Sequence, residues 1–233
     1  MKLKQTIRVW HALRSIPLVL SSGMPRSGST LVYNSILSIL IFKHGRVRGG
    51  FVNDVSWRSE IQNERLIVLK SHDVKQFGLH LRASKVIYTF RDPRVALLSQ
   101  HRKFGTPLTI NHFERTVATM LDAEGIRCLK LKYEDFIADD MSMIEQLSEY
   151  FGMPNLTPSD LTEIQAHRNA QMEQPTDTRF KGMNINSISL QHENHRTFTS
   201  NIEWKTEFPT KLIHEINARY SGTLQKYGYE VEE

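Results

Sequence analysis

Cysteine is nearly missing from this chain. Cys128 is the only one in 233 residues, so no disulfide can form within it. Its apolar, alternating surroundings make it a buried strand residue. Long hydrophobic runs are missing too: no window approaches the roughly 20 apolar residues of a membrane span. Lys2, Lys4, Arg8 and Arg14 precede a short apolar segment that has no small-residue cleavage site. No secretory signal is expected, and the expected location is cytoplasmic. Internal repeats and low-complexity tracts are absent, and no His/Cys/Asp spacing suits a metal site, so no metal is expected. Thirty Lys and Arg against 25 Asp and Glu leave an excess of only +5. The basic residues are scattered and no aromatic platform is interleaved with them, which argues against nucleic acid as a partner. A solvated surface and an anionic ligand fit that charge equally well.

Four short runs of Val, Ile and Leu stand out: Pro17–Ser21, Leu66–Lys70, Lys85–Phe90 and Arg127–Leu131. Such runs suit strands of a parallel sheet buried on both faces. Helical patterns follow them, at Thr30–Phe42, Val74–Arg82, Pro93–Lys103, Ile110–Glu124 and Met141–Phe151. Pro93 suits a first helical position, and Asp140 suits a cap before Met141. The alternation predicts an α/β fold: an open, mainly parallel β-sheet flanked by helices on both faces and P-loop NTPase-like. At this length, residues 1–233 make one domain. Leu161–Glu173 and Lys211–Tyr227 read as further helices. The polar stretch 174–201 between them is expected to be a mobile segment.

In open α/β sheets, ligands gather at the carboxyl ends of the strands. Each strand here ends in a polar cluster: the Arg26 loop, Lys70-Ser71-His72, Arg91-Asp92-Pro93 and Lys132-Tyr133-Glu134-Asp135. The first cluster is the most telling. Gly23 and Gly28 frame Met24-Pro25-Arg26-Ser27 and lead into a helix, an arrangement that aims backbone N–H groups and a helix N-terminus at a phosphate. A nucleotide-binding P-loop carries Lys where this chain has Ser29, and the cation stands inside the loop at Arg26. The amides of Ser27, Gly28, Ser29 and Thr30, with three hydroxyls, could ring one anionic group, and Arg26 adds a forked cation. His72 is the natural general base, since imidazole titrates near neutral pH. Lys70 is either a second cation at the site or a surface charge at a strand end. Asp73 is read as a cap rather than a partner of His72, and Glu134 and Asp135 as structural residues at a helix start.

Pro25-Arg26-Ser27-Gly28-Ser29-Thr30 resembles the 5′-phosphosulfate loop of the PAPS-dependent sulfotransferases. Phe90-Arg91-Asp92-Pro93, with Ser99 eight residues after Arg91, is similar to the family's 3′-phosphate motif. Tyr133-Glu134-Asp135 resembles its Tyr-Glu-Asp, whose Tyr lies near the adenine, and Lys70-Ser71-His72 its Lys-Thr-His. The resemblance spans most of residues 16–151. It implies PAPS as sulfuryl donor and PAP as product, with Arg26 at the phosphosulfate, His72 as base, Arg91 and Ser99 on the 3′-phosphate and Tyr133 by the base. The expected acceptor is a small molecule or carbohydrate with a hydroxyl or amine.

The chain also departs from that pattern. Leu31 stands where cytosolic members often have Trp. The Arg-Lys-Gly segment that closes on the 3′-phosphate has two candidates here, Arg179 with Lys181, or Arg196. The acceptor pocket falls to residues 46–61, the stretch around Phe104–Phe113 and segment 174–201, with Gly45–Phe51 either a flexible acceptor-side loop or a surface connection. Two other functions remain open at this point, an atypical P-loop kinase and an inactive nucleotide-binding protein of the same fold. The oligomeric state is not legible.

Overall fold

A computed structural model describes residues 10–11, 13–14, 16–54, 64–180, 183–191 and 203–231, without the side chains of 178–180 and 183–185. Five strands form one sheet: β1 Leu18–Gly23, β2 Arg48–Phe51, β3 Ile67–Ser71, β4 Lys85–Phe90 and β5 Leu129–Lys132. Their order is β2-β3-β1-β4-β5 and every pairing is parallel. Alternate residues face opposite sides, as the strand period requires. Val19, Val68 and Ile87 join one core with α1 (Ser29–His44). Leu18, Leu20, Ile67, Leu69 and Val86 join another on the opposite face. The expected α/β sheet, covered on both faces, is what the chain forms.

The other helices are α2 (Leu79–Arg82), α3 (Pro93–Phe104), α4 (Ile110–Leu121), α5 (Tyr133–Ala138), α6 (Asp140–Tyr150), α7 (Pro158–Met172), α8 (Trp204–Glu207) and α9 (Thr210–Lys226). Helices α5 to α7 share the core of α1. A third core joins α3 and α4 to α8 and α9, and takes in Met24 from the first loop. None of these helices is long and apolar enough to cross a membrane.

Three sequence readings are corrected. Gly45–Phe51 is no loose connection, since Arg48–Phe51 is the edge strand β2. Its Gly49 is there for packing: a Cβ would lie 2.2 Å from the Tyr33 hydroxyl and 3.1 Å from Leu37. Val74–Arg82 is not one helix. A 3-10 turn at Gln76–Gly78 and the single turn of α2 replace it, broken at Phe77 (φ 53°). Helix α6 is capped by Asp139, which accepts from Ser142 N–H at 2.9 Å, while Asp140 is its first residue.

In the stretch 174–201, β6 (Thr178–Phe180) and β7 (Met183–Ile185) pair as an antiparallel hairpin. Residues 186–191 follow and dock on α1, where Asn34 donates to the Ser189 carbonyl at 2.9 Å and Tyr33 to that of Ile188 at 3.2 Å. Residues 192–201 lie outside the described residues.

Candidate functional site

The loop after β1 is built to turn abruptly into α1. Arg26 (φ 68°) and Gly28 (φ 72°) both have left-handed backbone. A non-glycine residue held there costs on the order of 1–3 kcal/mol, which the surroundings must offset. Gly28 has a second reason to lack a side chain: a Cβ would stand 2.7 Å from Phe136 and 2.9 Å from Tyr133. The Ser27 hydroxyl is turned inward, donating to the Met24 carbonyl and lying 2.7 Å from Thr89 Oγ1 on β4. It shapes the loop rather than lining its mouth, and Thr89, its partner, was invisible to motif reading. Helix α1 then starts at Ser29 with no side-chain cap and no acid in its first turn. Its first amides and the positive end of its dipole are therefore left for an anion.

Residues far apart in sequence meet around this loop. Arg26 Nε donates to Ser99 Oγ on α3 at 2.9 Å. Arg91, at the end of β4, reaches the Arg26 carbonyl with Nη1 at 3.5 Å, and its guanidinium lies 4.0 Å over the ring of Tyr133. Burial, and then repulsion from Arg91, lowers the pKa of Arg26. Two cations held this close, one in the loop and one at the β4 end, favour a ligand with several negative charges. From the other side, Lys70 at the end of β3 donates to Thr30 Oγ1. Lys70 is only 4% exposed, so it is not a surface charge. Burial pushes it down to about 7.

His72 follows two residues later. Its Nδ1 lies 3.0 Å from the Gly23 carbonyl. A carbonyl can only accept, so Nδ1 carries the proton and Nε2 keeps its lone pair. Burial, then the charges of Lys70 and Arg26, pushes the imidazole down to about 4. The Phe51 ring packs against it edge-on, with centroids 5.9 Å apart. Asp73 accepts from Lys75 N–H at 2.9 Å, capping the turn. Glu134 accepts from the Asp92 amide at 3.2 Å and from the Tyr229 hydroxyl at 3.5 Å, and burial raises its pKa. It is a brace for the β4 end.

Arg94, three residues beyond Arg91 and near the same strand end, is structural. Its guanidinium pairs with Asp92 at 2.6 Å, lies 4.1 Å over Trp204 and donates to the Glu230 carbonyl. Loop and strand ends thus bring Arg26, Ser29, Thr30, Lys70, His72, Arg91, Ser99 and Tyr133 together around the loop after β1. Arg179 lies on β6, with its side chain outside the described residues, as are Lys181 and Arg196. Among the described residues no three His, Cys, Asp or Glu cluster as a metal would require.

The sequence matches no family model and no curated protein. Solved structures match its fold. The mouse sulfotransferase SULT7A1 complexed with PAP superposes with a TM-score of 0.63 at 13% identity, over 91% of this chain and 84% of that one. Retinol dehydratase matches in two structures, one with androsterone and the inactive cofactor PAP, the other with retinol and PAP. Each has a TM-score of 0.59 at 14% identity, over 100% of this chain and 87% of that one. The fold is that of the sulfotransferases.

Proposed function

We propose that this chain is a PAPS-dependent sulfotransferase acting on a hydroxyl or amine of a small-molecule or carbohydrate acceptor. The observation that carries the reading is the contact of Arg26 with Ser99, 73 positions apart, beside Arg91 on the Arg26 carbonyl. It joins a loop suited to a 5′-phosphosulfate to a strand end suited to a second phosphate. The residues fit such a ligand. The cradle at Gly28 excludes any side chain, α1 begins uncapped, and Arg26, Lys70 and Arg91 supply positive charge.

PAPS, when bound, supplies a sulfuryl group that moves to the acceptor oxygen or nitrogen as its bond to the phosphate oxygen breaks and PAP leaves. The chain's own part is positioning and charge stabilisation. His72, proton on Nδ1 and lone pair on Nε2, takes the acceptor's proton. Arg26 and Lys70 offset the negative charge that gathers on the leaving oxygen. Arg91 and Ser99 hold the 3′-phosphate, and Tyr133, already under the Arg91 guanidinium, stands by the nucleoside.

Calorimetry tests the reading directly. Adenosine 3′,5′-bisphosphate should bind about 10–100-fold more tightly than AMP, the worth of charge-assisted hydrogen bonds to one phosphate. Equal affinities would remove Arg91 and Ser99 from the site and the reading with them. Tight binding without transfer of label from PAPS to any acceptor would leave an inactive nucleotide-binding protein.

A further inference from the structure

One more cation lies close to Arg26 than this chemistry uses. Lys103 stands on α3 one turn beyond Ser99, and residues four apart share a helix face with Cβ atoms about 5–6 Å apart. Ser99 is the residue that meets Arg26, so that face looks onto the Arg26 guanidinium. Lys103 is half-buried between exposed Arg102 and Phe104. Burial and repulsion by Arg26 lower its pKa, in keeping with two cations facing one space. Arg102, one residue earlier, turns to the other side and pairs with Glu203 at 2.5 Å and with Glu207.

The direction of α3 decides which part of the site Lys103 serves. Arg91 lies just before the helix and stacks on Tyr133, at the nucleoside end. Ser99 meets Arg26 two turns on. Lys103 is about 6 Å further along the axis, at 1.5 Å per residue. The order is Tyr133 and Arg91, then Ser99 and Arg26, then Lys103, which places Lys103 past the transferring group and away from the nucleoside.

We propose that Lys103 binds an anionic group of the acceptor, so that the preferred acceptor is a hydroxylated or aminated acid bearing a carboxylate, phosphate or sulfate. The inference rests on the sulfuryl-transfer reading above. A negatively charged acceptor and a negatively charged donor repel each other, and a cation on the acceptor side offsets that repulsion and selects for the acid.

The test is calorimetry on protein saturated with adenosine 3′,5′-bisphosphate, using acceptors in charged and neutral pairs. 4-Hydroxybenzoate against its methyl ester, glucose 6-phosphate against glucose, and glucosamine 6-sulfate against glucosamine separate the three anions. At least one acid should bind about 10–100-fold more tightly than its neutral partner. Lys103→Met should abolish that preference and leave affinity for adenosine 3′,5′-bisphosphate unchanged, and Lys103→Arg should restore it. Charged and neutral partners binding alike, no binding by any pair, or a preference that survives Lys103→Met each overturns the proposal. So does a loss of nucleotide affinity in Lys103→Met, which would move Lys103 to the donor side. If the nucleotide itself binds wild type no better than AMP, the sulfuryl-transfer reading has failed before any acceptor is added, and this proposal falls with it.

Discussion

Lys70 and His72 sit two residues apart at the end of β3, and burial drives both toward their neutral forms with opposite consequences. His72, pushed down to about 4, is neutral at neutral pH and keeps its Nε2 lone pair. Lys70, pushed down to about 7, is poised between two charge states. An arriving phosphate-bearing ligand favours the charged form and raises that pKa. Ligand binding at pH 8 should therefore take up close to one proton. Affinity for adenosine 3′,5′-bisphosphate should weaken as pH rises above 7. Calorimetry in HEPES and Tris, whose ionisation heats differ, reads the uptake, and Lys70→Met should remove it. A binding heat independent of buffer would sink the assignment. Folding stability of the free protein carries the opposite sign. Between pH 7 and the ordinary lysine range the unfolded chain holds the extra proton, so Lys70 makes stability rise with pH across that window. The sequence showed that Lys70 and His72 lay at a strand end. It did not show that Lys70 is buried, because burial depends on α1 lying across it through Thr30.

At the scale of elements, the junction of β4 and α3 carries the arrangement that positions Arg91. Asp92 caps α3 by accepting from Arg94 N–H at 2.9 Å, and the same carboxylate binds the Arg94 guanidinium. Both side chains are almost fully buried. Asp92→Ala removes a cap worth about 1 kcal/mol and leaves a buried cation unpaired, a loss of about 3–5 kcal/mol. For a chain of this size the midpoint of thermal unfolding should fall by roughly 10 °C. Adding Arg94→Met should recover much of that loss, because the stranded charge goes with it. A fall of no more than a degree or two in the single variant would show that water reaches Arg94. This pair also marks where motif reading stops. Arg94 and Arg91 are alike in sequence, both beside a strand end, and only the Trp204 ring and the Glu230 carbonyl make one of them structural. Strands β1, β3 and β4 were legible because buried parallel strands are runs of Val, Ile and Leu, and β5, Leu-Lys-Leu-Lys at the sheet edge, because its apolar residues alternate. Strand β2 was not, because Gly49 and Gly50 look like a turn when the neighbouring Tyr33 and Leu37 are unseen. Helix α7 begins at Pro158 through a capping box of Thr157 and Asp160, a local signal that a search for apolar periodicity passes over.

In the whole molecule, the candidate site lies where separate cores meet. Helix α1, which follows the loop, belongs to the core shared with α5, α6 and α7, whereas α3, with Ser99 and Lys103, belongs to the core of α4, α8 and α9. Met24 ties the loop into the second of these, and Tyr229 and Trp204 bring the last helices to the β4 end through Glu134 and Arg94. A ligand with phosphates at both ends would bridge the two cores rather than rest on one. Ligand at about 100 times its dissociation constant stabilises the bound state by about 2.7 kcal/mol. Amide exchange that needs the site to open should then slow by about 100-fold. Measured with and without adenosine 3′,5′-bisphosphate, that slowing should appear together at the start of α1, residues 29–32, and at the start of α3, residues 93–99. AMP, lacking the 3′-phosphate, should protect the start of α1 and leave α3 close to its unliganded rate. Protection by the bisphosphate confined to α1 would mean that the two cores are not joined by the ligand, and that Arg91 and Ser99 hold Arg26 in place instead of a second phosphate.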